Sequence, residues 1–136
     1  TATSLTTVGT GLLPGVHGML GYTVKIPRSD NRILNALKWD DRVDPIHWQK
    51  NPTLFERANR FGIKTFHVAA KRYENTGFTQ AALRGATYVG ANQLDQMASA
   101  VADCLREPVA FVYTYLNIVD VAGHNDGVGS EKWLLA

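Results

Sequence analysis

The sequence predicts an α/β fold, a layered sheet with flanking helices, on three observations. The second half alternates helical and strand patterns. Thr53 and Glu56 form the spacing of a capping box ahead of an apolar helical face, and Gly62 stands where that face stops. Residues 109–116 are apolar on both faces, as expected of a parallel strand covered by helices on each side.

The elements follow in order. Residues 1–11, "TATSLTTVGTG", are small and β-branched with Gly11 as a stop, a pattern compatible with helix or strand. Residues 22–26 alternate and read as a short strand closed by Pro27. Residues 33–39 read as a second, making a hairpin around "PRSDN". "DDRVDPIHWQKNP" is a polar connection holding Asp40, Asp41, Asp44 and His47. After it, Leu54, Phe55, Ala58 and Phe61 supply one helical face, and residues 63–69 read as a strand. Asn92 is placed to cap a second helix, with Leu94, Met97, Ala98, Val101 and Leu105 on one side. Glu107-Pro108 ends that helix before the strand at 109–116, and Ser130 reads as the N-cap of a last helix.

Composition narrows the function classes. A chain of 136 residues with 45% hydrophobic and 19% charged residues can bury one core. A net charge of +2 with scattered Arg and Lys implies neither a nucleic-acid polymer nor a membrane surface as partner. The longest apolar run, 108–116, is far too short to span a bilayer. The lone Cys104 excludes an internal disulfide, fits a reducing, cytoplasmic compartment, and reads as a buried inert thiol. Thr1 opens directly into a helix-like segment, and the helix after Ser130 stops at Ala136 within two turns. The expectation is an incomplete fragment, 1–136 forming part of a single catalytic domain. Oligomeric state leaves no trace in the sequence.

The chemistry concentrates in "YLNIVDVAGHNDGVGS", residues 115–130. Ligands of open α/β sheets bind beyond the carboxyl ends of the strands, where Asp120 is expected. His124 follows four positions later, in a stretch read as a loop with Gly123, Gly127 and Gly129 bending around the site. Carboxylate and imidazole are both good zinc ligands, and this spacing lets both reach one ion. Eight Asp and four His produce a D-x-x-x-H spacing by chance in roughly one such chain in four, so the spacing alone also fits a surface turn capped by Asp120. Elsewhere the bland readings lead. His17 bonds a turn, and His67 is a satisfied core histidine. The acidic loop around Asp40 is solvated rather than cation-binding, and Trp39 and Trp48 pack the core rather than stack on a nucleobase.

Two segments carry a resemblance. Thr10-Gly11-Leu12-Leu13-Pro14-Gly15-Val16-His17-Gly18 matches a T-G-x-x-P-x-x-H-G segment, and Asp120, Gly123, His124 and Gly127 match D-x-x-G-H-x-x-G. Together they resemble the alkaline phosphatase superfamily, and within it the type I phosphodiesterase and nucleotide pyrophosphatase branch. The resemblance is strongest at 1–18 and 109–129. It implies an alkaline-phosphatase-like fold and a metal-dependent hydrolase acting on a small phosphate-ester or nucleotide substrate. It places the nucleophile on Thr1, two ligands of one zinc ion on Asp120 and His124, and two Zn2+ in the intact enzyme. The remaining ligands would be an upstream Asp, a downstream Asp-His pair and a later His, so the 136-residue piece alone is expected to be inactive. A covalent phosphoryl- or nucleotidyl-Thr intermediate would form and be hydrolysed. The branch carries an Asn soon after its H-G pair, whereas Met19, Leu20, Gly21, Tyr22 and Thr23 stand here. Either another group supplies that hydrogen bond or the substrate differs. A phosphomonoesterase or phosphonate hydrolase is the alternative within the superfamily, and a non-catalytic α/β binding module the alternative outside it.

Overall fold

The computed structural model describes residues 2–136. The ambiguous first segment is a helix, α1 (Ala2–Thr10), followed by a single turn, α2 (Pro14–His17). The expected hairpin forms as β1 (Thr23–Lys25) and β2 (Ile33–Asn35), antiparallel and shorter than its sequence pattern. The polar connection contains α3 (Pro45–Trp48), whose N-cap Asp44 accepts from the amides of Ile46 and His47. Next comes α4 (Leu54–Arg60) with both hydrogen bonds of the capping box: Glu56 N donates to Thr53 Oγ1 at 3.0 Å, and Thr53 N donates to Glu56 Oε2 at 2.8 Å. Gly62, with φ of 76°, takes the left-handed conformation that ends this helix.

The strand β3 (Lys64–Ala69) leads through α5 (Gly77–Ala82) to β4 (Thr87–Gly90), and then through α6 (Leu94–Cys104) to β5 (Ala110–Tyr115). These strands form a parallel sheet in the order β4-β3-β5. The α/β layering is as read from the sequence. The last helices are α7 (Ile118–Asp126) and α8 (Glu131–Leu135), the latter capped by Ser130, which accepts from Trp133 N. Two assignments are corrected. Gln93, not Asn92, occupies the N-cap position of α6 and makes no side-chain cap, because Asn92 Oδ1 instead accepts from Lys71 N at 3.1 Å. The stretch holding Asp120 and His124 is helix α7 rather than a loop. Its glycine-rich pattern suggested a turn, but Gly123 sits inside the helix, where an added Cβ would lie 3.3 Å from the Trp133 ring of α8.

The two sheet faces bury different partners. Phe66 and Val68 of β3, Val89 and Val112 pack against Met97, Ala100, Val101 and Cys104 of α6. Cys104 is buried here as expected, and burial pushes its thiol pKa up. On the opposite face, Phe111 and Tyr113 meet Phe55, which is 1% exposed and stacks on Phe111 with centroids 5.3 Å apart. Ala2 of α1 and Phe78, Ala81 and Ala82 of α5 complete that cluster. Trp39 and Trp48 meet edge to face at 6.5 Å, and Trp39 Nε1 donates to Val43 O, so both serve packing. No helix among the described residues is long and apolar enough to cross a membrane.

The approach of α1 to α5 depends on Gly9, since a Cβ there would lie 1.9 Å from the carbonyl oxygen of Ala82. Overpacking against backbone cannot relax by a rotamer change, and such insertions cost about 1–3 kcal/mol. Gly9→Ala is therefore expected to lower the thermal midpoint by several degrees; an unchanged midpoint in a calorimetric scan would show that the two helices can separate without loss.

Candidate active site

The T-G-x-x-P-x-x-H-G segment is a tied turn. Met19 N donates to His17 Nδ1 at 3.1 Å, so that nitrogen carries no proton, and Nε2–H is left to donate to Thr7 Oγ1 at 3.0 Å. His17 is 2% exposed, burial pushes its pKa down, and its role is to fold the chain back onto α1. Thr10 does the same locally, donating to Thr6 O and accepting from Leu12 N. The acidic loop is equally occupied: the Arg42 guanidinium beside Asp40, at 2.8 Å, holds its carboxyl at about 2.

Asp120 and His124 lie one turn apart on the same face of α7, with His124 Nε2 3.8 Å from Asp120 Oδ1. Two ligands of a tetrahedral zinc with bonds of about 2.0–2.1 Å stand roughly 3.3 Å apart, and both side chains have freedom to close that gap. The His124 side chain is 74% exposed and that of Asp120 42%. Among the described residues no group of three or more His, Cys, Asp or Glu could hold a metal ion, so this pair does not by itself make a metal site. Thr1 lies outside the described residues.

Beside this pair a cavity of about 310 Å³ opens beyond the carboxyl ends of β3 and β5. Ala2 and Leu5 of α1 line it on one side and Asn117, Asp120 and Val121 on the other. Tyr22, Tyr73, Tyr115 and Phe78 supply aromatic walls, and His67 and Ala69 come from β3. The cavity thus joins the start of α1, which has no acidic residue in its first turn, to Asp120. Burial first, and then Asp120, Tyr73 and Tyr22, push the Tyr115 phenol pKa up. A family model for type I phosphodiesterase / nucleotide pyrophosphatase matches residues 1–136. The chain belongs to the type I phosphodiesterase / nucleotide pyrophosphatase family. No curated protein matches it. In this family member the second motif runs along α7 and reaches the cavity through Asp120, whereas the first builds the turn behind α1 and lends no residue to the cavity walls.

Sequence reasoning missed three wall residues. Asn117 Nδ2 donates to Tyr73 Oη at 3.2 Å, and Arg72 Nη2 donates to the same oxygen at 2.9 Å. Nothing in the spacing of residues 72, 73 and 117 announces that meeting. The third is His67, expected as a satisfied core histidine. It is buried, 3% exposed, but neither ring nitrogen has a hydrogen-bond partner among the described residues. It stands between its cross-strand neighbours Tyr88 and Tyr113, with centroids at 4.8 and 5.3 Å, both rings inclined to its own.

Burial drives the His67 pKa from 6.5 to about 4. The unfolded chain takes up this proton near the upper value and the native chain near the lower. Native stability is therefore complete above about 6.5 and is lost as pH falls toward 4, by up to about 3 kcal/mol at 1.36 kcal/mol per unit. His17 acts in the same direction, whereas Asp40 acts only as pH falls from 3.8 toward 2. Urea unfolding at pH 7 and pH 4 tests this: His67→Phe is expected to flatten the decline, and an equal decline in wild type and variant contradicts it.

Proposed function

We propose that the intact protein is a zinc-dependent phosphodiesterase or nucleotide pyrophosphatase with Thr1 as nucleophile and Asp120 and His124 as two ligands of one zinc ion. The observation that carries the reading is the cavity lined by both Ala2, the neighbour of Thr1, and Asp120. Nucleophile and metal ligand would then face one reacting phosphorus. The Thr1 hydroxyl attacks phosphorus and the bond to the departing alcohol or nucleotide breaks, the hydroxyl proton passing by way of solvent to the departing oxygen and leaving a phosphoester on Thr1. Water then cleaves that ester and regenerates the hydroxyl. Backbone N–H groups at the start of α1 are suited to hold phosphate oxygens. Two bound zinc ions would supply charge stabilisation to the attacking and leaving oxygens; the other ligands called for by the motif resemblance are further Asp and His residues.

The substrate is a small phosphate ester or nucleotide. The test is zinc content and hydrolysis of bis(p-nitrophenyl) phosphate by the full-length protein, with Thr1→Ala and His124→Ala beside it. A metal-free protein inactive on diesters and monoesters alike would replace this reading with a binding module. Selective turnover of p-nitrophenyl phosphate would replace the diester by a monoester.

A further inference from the structure

Asn117 occupies the N-cap position of α7 and does not cap it, since its side chain makes no bond to the first turn. An Asn at that position ordinarily accepts from a backbone N–H of the helix it begins. Here Nδ2 instead donates to Tyr73 Oη at 3.2 Å, and Arg72 Nη2 donates to the same oxygen at 2.9 Å. The Arg72 guanidinium also lies over the Tyr73 ring, 4.8 Å from its centroid. Two side chains thus fix the phenol oxygen of a third, at the wall of the cavity that Asp120 also lines.

The cluster is left with donors. A phenol carries one proton and a primary amide two. With Asn117 donating to Tyr73, the phenol proton and the second amide proton have no acceptor among the described residues. Turning the amide over gives the phenol proton to Asn117 Oδ1 and frees both amide protons instead. Either way two donors remain, with a guanidinium beside them and only solvent to accept them. Fixed donors next to a cation suit an anionic oxygen.

Tyr22 and Tyr115 line the same cavity and are the rivals. Tyr22 is 41% exposed, and no bond among the described residues holds either hydroxyl. A donor stabilises charge on a reacting group most when it already stands in place. We propose that Asn117 and Tyr73 are further catalytic residues, donating hydrogen bonds to one non-bridging oxygen of the bound phosphate ester. The inference rests on the hydrolase reading for its substrate. Both residues keep their protons throughout and hold that oxygen while the leaving group departs.

The test compares full-length wild type with Tyr73→Phe, Asn117→Ala, their double variant, Tyr22→Phe and Tyr115→Phe. Turnover of bis(p-nitrophenyl) phosphate is read beside orthovanadate affinity, thermal midpoint and zinc content. Tyr73→Phe keeps the ring and Asn117→Ala removes no cap, so midpoint and zinc should hold. Each single change is expected to lower kcat by about 10²-fold with KM little altered, and to weaken vanadate by a similar factor. The double variant should lose far less than the product of the two, because each donor is held by the other. The two stereoisomers of methyl p-nitrophenyl phosphorothioate give a readout that a scaffold role would not move. Sulfur accepts hydrogen bonds poorly, so the ratio of their rates should shift by about tenfold in the double variant. Near wild-type turnover and vanadate affinity in either single variant overturn the inference, as does an unmoved stereoisomer ratio. So does a loss confined to Tyr22→Phe or Tyr115→Phe. If wild type turns over no phosphate ester, the hydrolase reading has failed and vanadate decides the rest: binding that weakens in Tyr73→Phe and Asn117→Ala keeps the donor pair, and no binding removes it as well.

Discussion

Thr1→Ala in the full-length protein is expected to abolish phosphodiester turnover, by about 10⁴-fold or more, while zinc remains bound. His124→Ala is expected to remove turnover together with the one zinc ion that His124 would hold. The two outcomes differ because the roles differ. A nucleophile forms the bond that defines the reaction, and no neighbouring group replaces it. A ligand fixes the ion, and changes merely outside a ligand shell already cost about 10–100-fold in affinity, so losing a ligand costs more. Exposure makes the His124 result readable: with 74% of its side chain in solvent, truncation at this site takes little from the fold. Asp120→Asn should follow His124→Ala, since an amide keeps the shape but not the charge that pairs with a dication. Zinc analysis beside steady-state kinetics separates the cases. A Thr1→Ala protein with near-normal turnover would remove the covalent route, and a His124→Ala protein with its full zinc content would remove the ligand assignment.

What the sequence disclosed was local chemistry. Thr53 and Glu56 satisfy each other's backbone within three residues, so their spacing alone announces α4. The hairpin and the parallel β3 and β5 were legible for a similar reason, through short alternation and a two-sided apolar run. The strand β4 (TYVG) and helix α5 (GFTQAA) carry no alternation, capping box or two-sided apolar run of the kind that marks the other elements, and the sequence does not announce them. Glycine misled at α7, because Gly127 and Gly129 do leave the helix with positive φ while Gly123 stays inside it to admit Trp133. The pairing of Asp120 with His124 survived that error, since a spacing of four also brings two side chains together on a helix.

Non-local meetings were invisible. Asn92 looked like a cap because its type and position suit one, yet its side chain crosses to Lys71. His67 was seen as a core residue, and its burial was right, but satisfaction is a property of neighbours that β4 and β5 contribute. The cavity assembles α1, α5, α7, the hairpin and the sheet, so no segment contains its pattern.

Arg84 shows the same dependence in the scaffold, and Arg84→Ala is expected to be the most destabilising single truncation of a charged side chain here. Its guanidinium, 14% exposed, donates to Glu56 Oε1 at 3.1 Å, Gln49 O at 3.1 Å, Ala81 O at 2.9 Å and Asn51 O at 2.8 Å. The Arg84 carbonyl in turn accepts from Thr53 Oγ1 at 2.6 Å. One side chain thus ties the start of α4, the end of α5 and the loop after α3. Removing one partner of a buried ion pair costs about 3–5 kcal/mol, and the lower end applies because Glu56 is 32% exposed. For a chain of this length about 3 kcal/mol is roughly 10 °C in thermal midpoint. Arg84→Lys should recover only part, since an ammonium cannot reach a carboxylate and three carbonyls in one plane. Combining Arg84→Ala with Glu56→Gln should cost less than the two changes summed, because no unpaired carboxylate is left behind. Additive losses would mean that the pair is uncoupled and that the carbonyl bonds alone carry the effect. A midpoint within 2 °C of wild type, roughly the reach of about 0.5 kcal/mol, would mean that water replaces the guanidinium without penalty.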